Sequence, residues 1–405
     1  MRMKSIAVAF ALTALASTAV LAEAPPSTDT ARLLGPLARG VNYQVENPIT
    51  SDGVLYVFKL ATPYGNFRVD GEQLLKLRLH ELAALEKLEA LSQSGEFTKS
   101  LAAAVQQPIA TVGKALVNPF SLVTGTVSGV GSMFDKVSAG LNDPYDKSDN
   151  AVDGLLGTSA ALRQLAYQYD VDPYTKFPPL AKRLQTLAQA HAMGGLAVKG
   201  AVMAIPGGAG LAVSGLQSAG TLGSLVRDKT VAQLDEINQA ALLAMGVNPT
   251  VMAAFMSNQH YTPADKTLVV AALKSMPRAA NKTLYVAKIA GAADVDAAFF
   301  HRVQTQWMAA YNAKVEPITG FANVLGFPLL VRADGKLVGL FPMDILAWTD
   351  PVRKTVLAMS QKISAESGAP VEIRLSGTVT DEARREIAKV GWTVKDHDTA
   401  LLNGN

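Results

Sequence analysis

Five histidines, His80, His191, His260, His301 and His397, are the residues whose side chains exchange protons or bind metals near neutral pH. No two stand three or four residues apart, so a metal site among them would have to be assembled by the fold. His80-Glu81 begins like a zinc-protease helix, but Ala84 stands where the second histidine would be. In a leucine-rich helix the ordinary role of Glu81 is a solvated or capping one. Ser128 lies in Gly125-Thr126-Val127-Ser128-Gly129, which has the wrong spacing for a nucleophile elbow. A P-loop and a dinucleotide fingerprint are also absent. No catalytic residue is therefore assigned, and no cofactor or metal is expected. If the chain were a hydrolase, its groups would come together only in three dimensions, with His260 or His301 as base.

Two polar clusters have ordinary explanations beside chemical ones. Asp143, Asp146, Asp149, Asn150 and Asp153 offer oxygens to a hard cation. They lack the glycine and distal glutamate of an EF-hand, and Asp-Pro turns and helix capping account for them. Ser376-Gly377-Thr378 stands between a strand and a helix and has the makings of an anion site, although capping explains it equally well. Asp143-Pro144-Tyr145 and Asp172-Pro173-Tyr174 bracket one helix but are too short to define a repeat.

Charge is missing where a soluble chain would carry it. The 35 residues between Lys99 and Asp135 contain one charge, Lys114, against about six at the chain's average. Pro108 and Pro119 divide that run into pieces too short to span a bilayer. Between Arg183 and Arg227 lie 43 residues with Lys199 and the titratable His191 alone. Leu184 to Ile205 reads as an amphipathic helix stopped by Pro206. Gly207 to Val226 is uncharged with six glycines, and as a helix it would be about 30 Å long. Gly208, Ala212, Gly215, Ala219 and Gly223 set small residues along it, with Gly215, Ala219 and Gly223 on one face, where close approach is possible. These five are the candidate ligand or membrane contacts. A tightly packed hairpin inside the core is the other reading of the same pattern.

The flanking elements follow from periodicity. Val41, Tyr43 and Val45 alternate with polar residues, Val54 to Ala61 follows the turn Ser51-Asp52-Gly53, and Phe67 and Val69 continue after Pro63-Tyr64-Gly65. These are three strands of an antiparallel meander. Leu75, Leu79, Leu82 and Leu85 then give a helix from Glu72 to Leu91, with Glu72 and Lys76 spaced as an ion pair. Helices are expected from about Asn150 to Tyr169, after Asn248-Pro249, and after Thr262-Pro263 with Thr262 as N-cap. Apolar positions in Leu268 to Leu273, Leu284 to Ile289 and Ala297 to Tyr311 are expected to face one another in a bundle with short connections. Near the C-terminus, Leu329 to Arg332 and Leu337 to Leu340 flank a turn, Thr349-Asp350-Pro351 opens a helix, and Val371 to Leu375 is a strand. Thr380 caps a second helix ended by Gly391, and Trp392 to Lys395 closes the module. The fold class is α+β and mostly α: a small N-terminal antiparallel β-meander with a helix, a central α-helical bundle, and a C-terminal ββαβαβ module. The expected divisions are 1–22, 23–98, 99–325 and 326–405.

Residues 1–22 read as a signal peptide, with Arg2 and Lys4 before an uncharged run and Val20 and Ala22 before the cut. Cleavage before Glu23 takes the net charge from +3 to +1. That balance excludes a dedicated nucleic-acid binder, and the lack of cysteine excludes disulfides, thiol catalysis and a lipoprotein anchor. The expectation is an exported, periplasmic or otherwise extracytoplasmic bacterial protein. It is expected to be non-enzymatic and to bind an apolar or lipid-like ligand, a membrane surface or an envelope protein through its helical middle.

Overall fold

Short alternating runs and tight turns in the N-terminal part favour strands over helices, and the chain forms a five-stranded antiparallel sheet there. The computed structural model describes residues 22–92, 153–192 and 221–399. The strands are β1 (Ser27–Thr28), β2 (Gln44–Val45), β3 (Ile49–Ser51), β4 (Tyr56–Thr62) and β5 (Gly65–Asp70), with a helix α1 (Thr30–Leu34) between the first two. β4 is the centre. β5 pairs along it from Val57↔Asp70 to Thr62↔Gly65, while β3 and β2 share its other edge and β1 pairs outside β3. The sheet thus has two more strands than the expected meander. Val41, expected inside the first strand, is 91% exposed. A turn closed by Gly40 N–H to Tyr43 O (3.0 Å) takes the backbone out of the ladder there.

Helix α2 (Glu72–Ser92) covers this sheet. Leu75, Leu79, Leu82, Leu85 and Leu88 are buried with Phe58, Leu60 and Val69, and Glu72 pairs with Lys76 at 2.7 Å. Helices α3 (Asp153–Gln168) and α4 (Pro178–Ala192) extend the same core through Leu165, Leu180, Leu184 and Leu187.

The middle continues with α5 (Thr221–Asp228), α6 (Val231–Ala244), α7 (Pro249–Ser257), α8 (Pro263–Lys274), α9 (Lys282–Ala290) and α10 (Val295–Lys314). Thr262 caps α8 as its sequence requires, accepting Asp265 N–H at 3.0 Å while Asp265 accepts Thr262 N–H at 3.1 Å. Phe255, Leu273, Tyr285, Trp307 and Tyr311 form a second core that runs on into Phe321, Leu330 and Leu340 of the next sheet. Helical middle and C-terminal module therefore share one apolar interior.

That module contains β6 (Ile318–Val324), β7 (Phe327–Arg332), β8 (Leu337–Phe341), β9 (Ile345–Leu346), α11 (Asp350–Glu366), β10 (Val371–Leu375), β11 (Thr378–Val379), α12 (Asp381–Lys389) and β12 (Thr393–Lys395). Its main sheet has the order β12-β10-β8-β7-β6, with β8, β10 and β12 parallel and β6-β7-β8 antiparallel. The expected ββαβαβ order is present, and β6 precedes it. β6 and β7 turn through Leu325 and Gly326, both at positive φ (52° and 86°). A leucine in that conformation gives no turn signal in a sequence.

The two sheets are tied by the segment between β8 and α11. Val54 O accepts Asp344 N–H (3.1 Å) and Ile345 N–H (3.2 Å), and Gly53 O accepts Ala347 N–H (3.0 Å). Asp344 is buried, and its carboxylate accepts Tyr56 N–H at 2.9 Å and Glu72 N–H at 3.0 Å, closing the first turn of α2 from 272 residues away. Gly377 permits this approach: a Cβ there would lie 1.8 Å from Asp344 O.

Candidate functional site

The segments 93–152 and 193–220, which contain most of the two charge-poor runs, leave the described structure at Ser92 and Ala192 and return at Asp153 and Thr221. Side-chain ties give the directions of the flanking helices. Glu81 of α2 accepts the Thr175 hydroxyl just before α4, and eight residues further along each helix Arg183 meets Glu89 at 3.0 Å. α2 and α4 therefore run the same way, and Ser92 and Ala192 lie at the same end of the layer. α3 packs against α4 and is joined to it by a short connection, so it runs oppositely and begins at that end. Three of the four points where these stretches meet the described structure thus converge. Gly223 is buried in α5, which lies on α3 through Arg163 Nε–H to Arg227 O (3.1 Å) and the Arg227 guanidinium over the Tyr167 ring (4.6 Å). Gly208, Ala212, Gly215 and Ala219 lie outside the described residues, as do Asp143, Asp146, Asp149 and Asn150.

At the opposite end of this layer is a buried polar junction. Glu81, expected to be solvated or capping, is 2% exposed and held by Arg78 (2.5 Å) and Thr175. A charged group facing the interior needs such partners. Asp172 accepts the Thr262 hydroxyl at 2.5 Å and Tyr174 N–H at 2.8 Å, so Asp172-Pro173-Tyr174 is a side-chain-closed turn. Asp265 pairs with buried Arg302 at 3.1 Å. Desolvation, then the neighbouring Asp265 charge, pushes the Asp172 carboxyl up to about 7. The cavity here is about 40 Å³, room for one or two waters and no substrate.

A larger opening, about 280 Å³, lies between β5, α2 and α10. Leu55, Leu74, Phe299, Phe300, Val303 and Pro342 give it apolar walls, and Asp70, Gln73, Asp294, Asp296 and His301 supply its polar groups. Burial raises the pKa of Asp296 and lowers that of His301 to about 4.

No family model, curated protein or solved structure matches this chain.

Function must therefore be argued from geometry. His301 Nδ1 lies 3.4 Å from Gln304 Oε1, and His260 makes its one side-chain-related bond through its backbone, to Asn258 Oδ1. Neither imidazole meets a carboxylate or a hydroxyl among the described residues. His80 Nε2 is 2.9 Å from Asp170 O. Among the described residues no group of three or more metal-binding side chains is assembled. At Ser376-Gly377-Thr378 the N–H groups of Gly377 and Thr378 are spent on Met343 O (2.8 Å) and Asp344 O (3.0 Å), which removes the donors an anion would need. Sequence reasoning did not single out Gln73, Asp265, Asp296 or Arg302. Asp265 had a signal in its capping box, whereas the others are polar residues on helices and become noteworthy only through their neighbours.

Proposed function

We propose that this chain is an exported, non-enzymatic bacterial envelope protein that uses its helical middle to engage an apolar, lipid-like ligand or the membrane surface. The observation that carries the reading is the convergence at one end of the α2–α3–α4 layer. The segments that hold the two charge-poor runs both leave from that end, and the first segment also returns there. A lipid-facing region needs contiguous apolar surface, and the two charge-poor runs belong to segments joined to the described structure at that end. A membrane span is not needed for such contact, and among the described residues no helix is long and apolar enough to cross a bilayer. Gly208, Ala212, Gly215, Ala219 and Gly223 are the proposed contacts, because small side chains let backbone approach acyl chains or a neighbouring helix closely.

Flotation of the exported protein with phosphatidylethanolamine–phosphatidylglycerol vesicles tests this, together with mass spectrometry of lipid carried through native purification. The protein is expected to rise with the vesicles at high salt, since its net charge is too small for electrostatic adsorption. Protein that stays at the bottom of the gradient and carries no lipid refutes the proposal.

A further inference from the structure

The cleft between β5, α2 and α10 is remote in role from the layer end just described and has chemistry of its own. Three polar groups on its wall, the Asp296 carboxylate, the Gln73 amide and His301 Nε2, have no hydrogen-bond or ion-pair partner among the described residues. Half-buried polar groups normally find partners, so three left over around one opening call for an explanation. The other two carboxylates are occupied. Asp70 is held by Arg68 at 2.9 Å, and Asp294 caps α10 by accepting Ala297 N–H at 2.7 Å. Arg68 and Arg78 act on Asp296 without pairing with it, and no lysine or arginine lines the cleft.

The tautomer of His301 follows from its neighbour. Gln304 Nε2–H donates to Leu340 O at 2.8 Å, which turns Gln304 Oε1 toward His301 Nδ1 at 3.4 Å. An amide oxygen can only accept, so Nδ1 carries the proton and Nε2 presents a bare lone pair. Burial keeps the ring neutral at pH 7. The edge of Phe300 (centroids 5.9 Å apart) packs against the ring. The cleft thus offers a carboxylate and an imidazole nitrogen, both acceptors, beside apolar walls that carry no lysine or arginine, with Arg68, Arg78 and Lys288 acting only from outside its lining.

We propose that this cleft binds a small organic cation, a primary ammonium on an apolar body, with Asp296 and His301 Nε2 accepting its N–H donors and Phe299 and Phe300 covering the apolar part. An ammonium has three donors, and the Gln73 carbonyl is available for the third. An alcohol of the same shape supplies one donor and no charge, and a carboxylate meets Asp296 as a like charge. The volume is at the small end of ligand sites, which selects a ligand of one ring or a short chain.

The test is isothermal titration calorimetry of the exported protein at pH 7.5 with phenethylamine, 2-phenylethanol and 3-phenylpropionate. Phenethylamine is expected to bind, the alcohol to bind at least about tenfold more weakly, and the carboxylate not at all. Asp296→Asn is expected to weaken phenethylamine by about tenfold or more with an unchanged melting temperature. Phe300→Ala weakens it through the apolar half. Equal binding of amine and alcohol overturns the proposal, as does no binding of phenethylamine at millimolar concentration, or an Asp296→Asn variant that binds it like the parent. The probe series on the parent protein stands even if a variant fails to fold, and the flotation result has no bearing on it.

Discussion

Asp344 joins the N-terminal sheet to the C-terminal module, and Asp344→Ala is the sharpest test of how the two are held together. The substitution leaves Tyr56 N–H and Glu72 N–H without their acceptor in a buried place. At about 1–3 kcal/mol for each orphaned donor, the bonds alone amount to about 2–6 kcal/mol. Above about pH 7, where Asp344 is ionised in the folded state, loss of an anion at the start of α2 adds about 0.3–1 kcal/mol. The carboxylate also carries a cost of its own. Burial raises it to about 7, against which the Tyr56 and Glu72 N–H bonds pull downward, while the unfolded value is about 3.9. The folded state therefore keeps its proton where the unfolded state has lost it. Stability from this group is highest below pH 4, falls as pH rises to about 7, and is level above that. Between pH 5 and 8 the fall has a ceiling of about 3 kcal/mol. Asp344→Ala removes that slope, so its cost is larger at pH 5 than at pH 8. Urea unfolding of parent and variant at both pH values measures this, and hydrogen exchange of the Tyr56 and Glu72 amides reads the local event. A variant within about 0.5 kcal/mol of the parent, with both amides still protected, would refute the interlock. A larger cost at pH 8 than at pH 5 would instead show that the N–H donors outweigh burial.

Gly377→Ala forces a Cβ to within 1.8 Å of Asp344 O and 2.3 Å of its carbonyl carbon. Because backbone must move, a loss of more than about 4 kcal/mol or insoluble protein is expected, read by melting temperature and yield. Gly391→Ala meets nothing within 4 Å and is strained only by its φ of +80°; about 1 kcal/mol is expected in the same assay. Thr262→Ala loses the cap of α8 and the hydroxyl held by Asp172, at a cost of about 1–3 kcal/mol in urea unfolding. Asp172→Asn mimics the protonated acid, so it flattens the decline in stability between about pH 4 and pH 7 that the raised pKa imposes on the parent. A parent curve that rises over that window would contradict the assignment.

Much of the architecture was legible because its signals are local. Thr262-Pro263 marks the start of α8, the Leu75–Leu79–Leu82–Leu85 spacing marks the buried face of α2, and Gly391 ends α12 at positive φ. Each depends on residues within about one turn of each other, and a sequence displays that range directly. The first strand was misread at Val41, and β6 was missed, where the deciding factor was a Gly40–Tyr43 turn and a left-handed Leu325 rather than alternation. Composition likewise marked the two runs poor in charge, but that the segments holding them leave from one end depends on α2 and α4 running parallel, which Glu81–Thr175 and Glu89–Arg183 establish across 94 residues of chain. The polar groups of the junction and the cleft belong wholly to tertiary structure. Asp172 meets Thr262 across 90 residues, and Gln73 comes to share an opening with Asp296 and His301. Before folding these are ordinary solvated side chains; burial, and the loss or gain of a partner at a place set by distant packing, give them altered proton affinities and unfilled bonds.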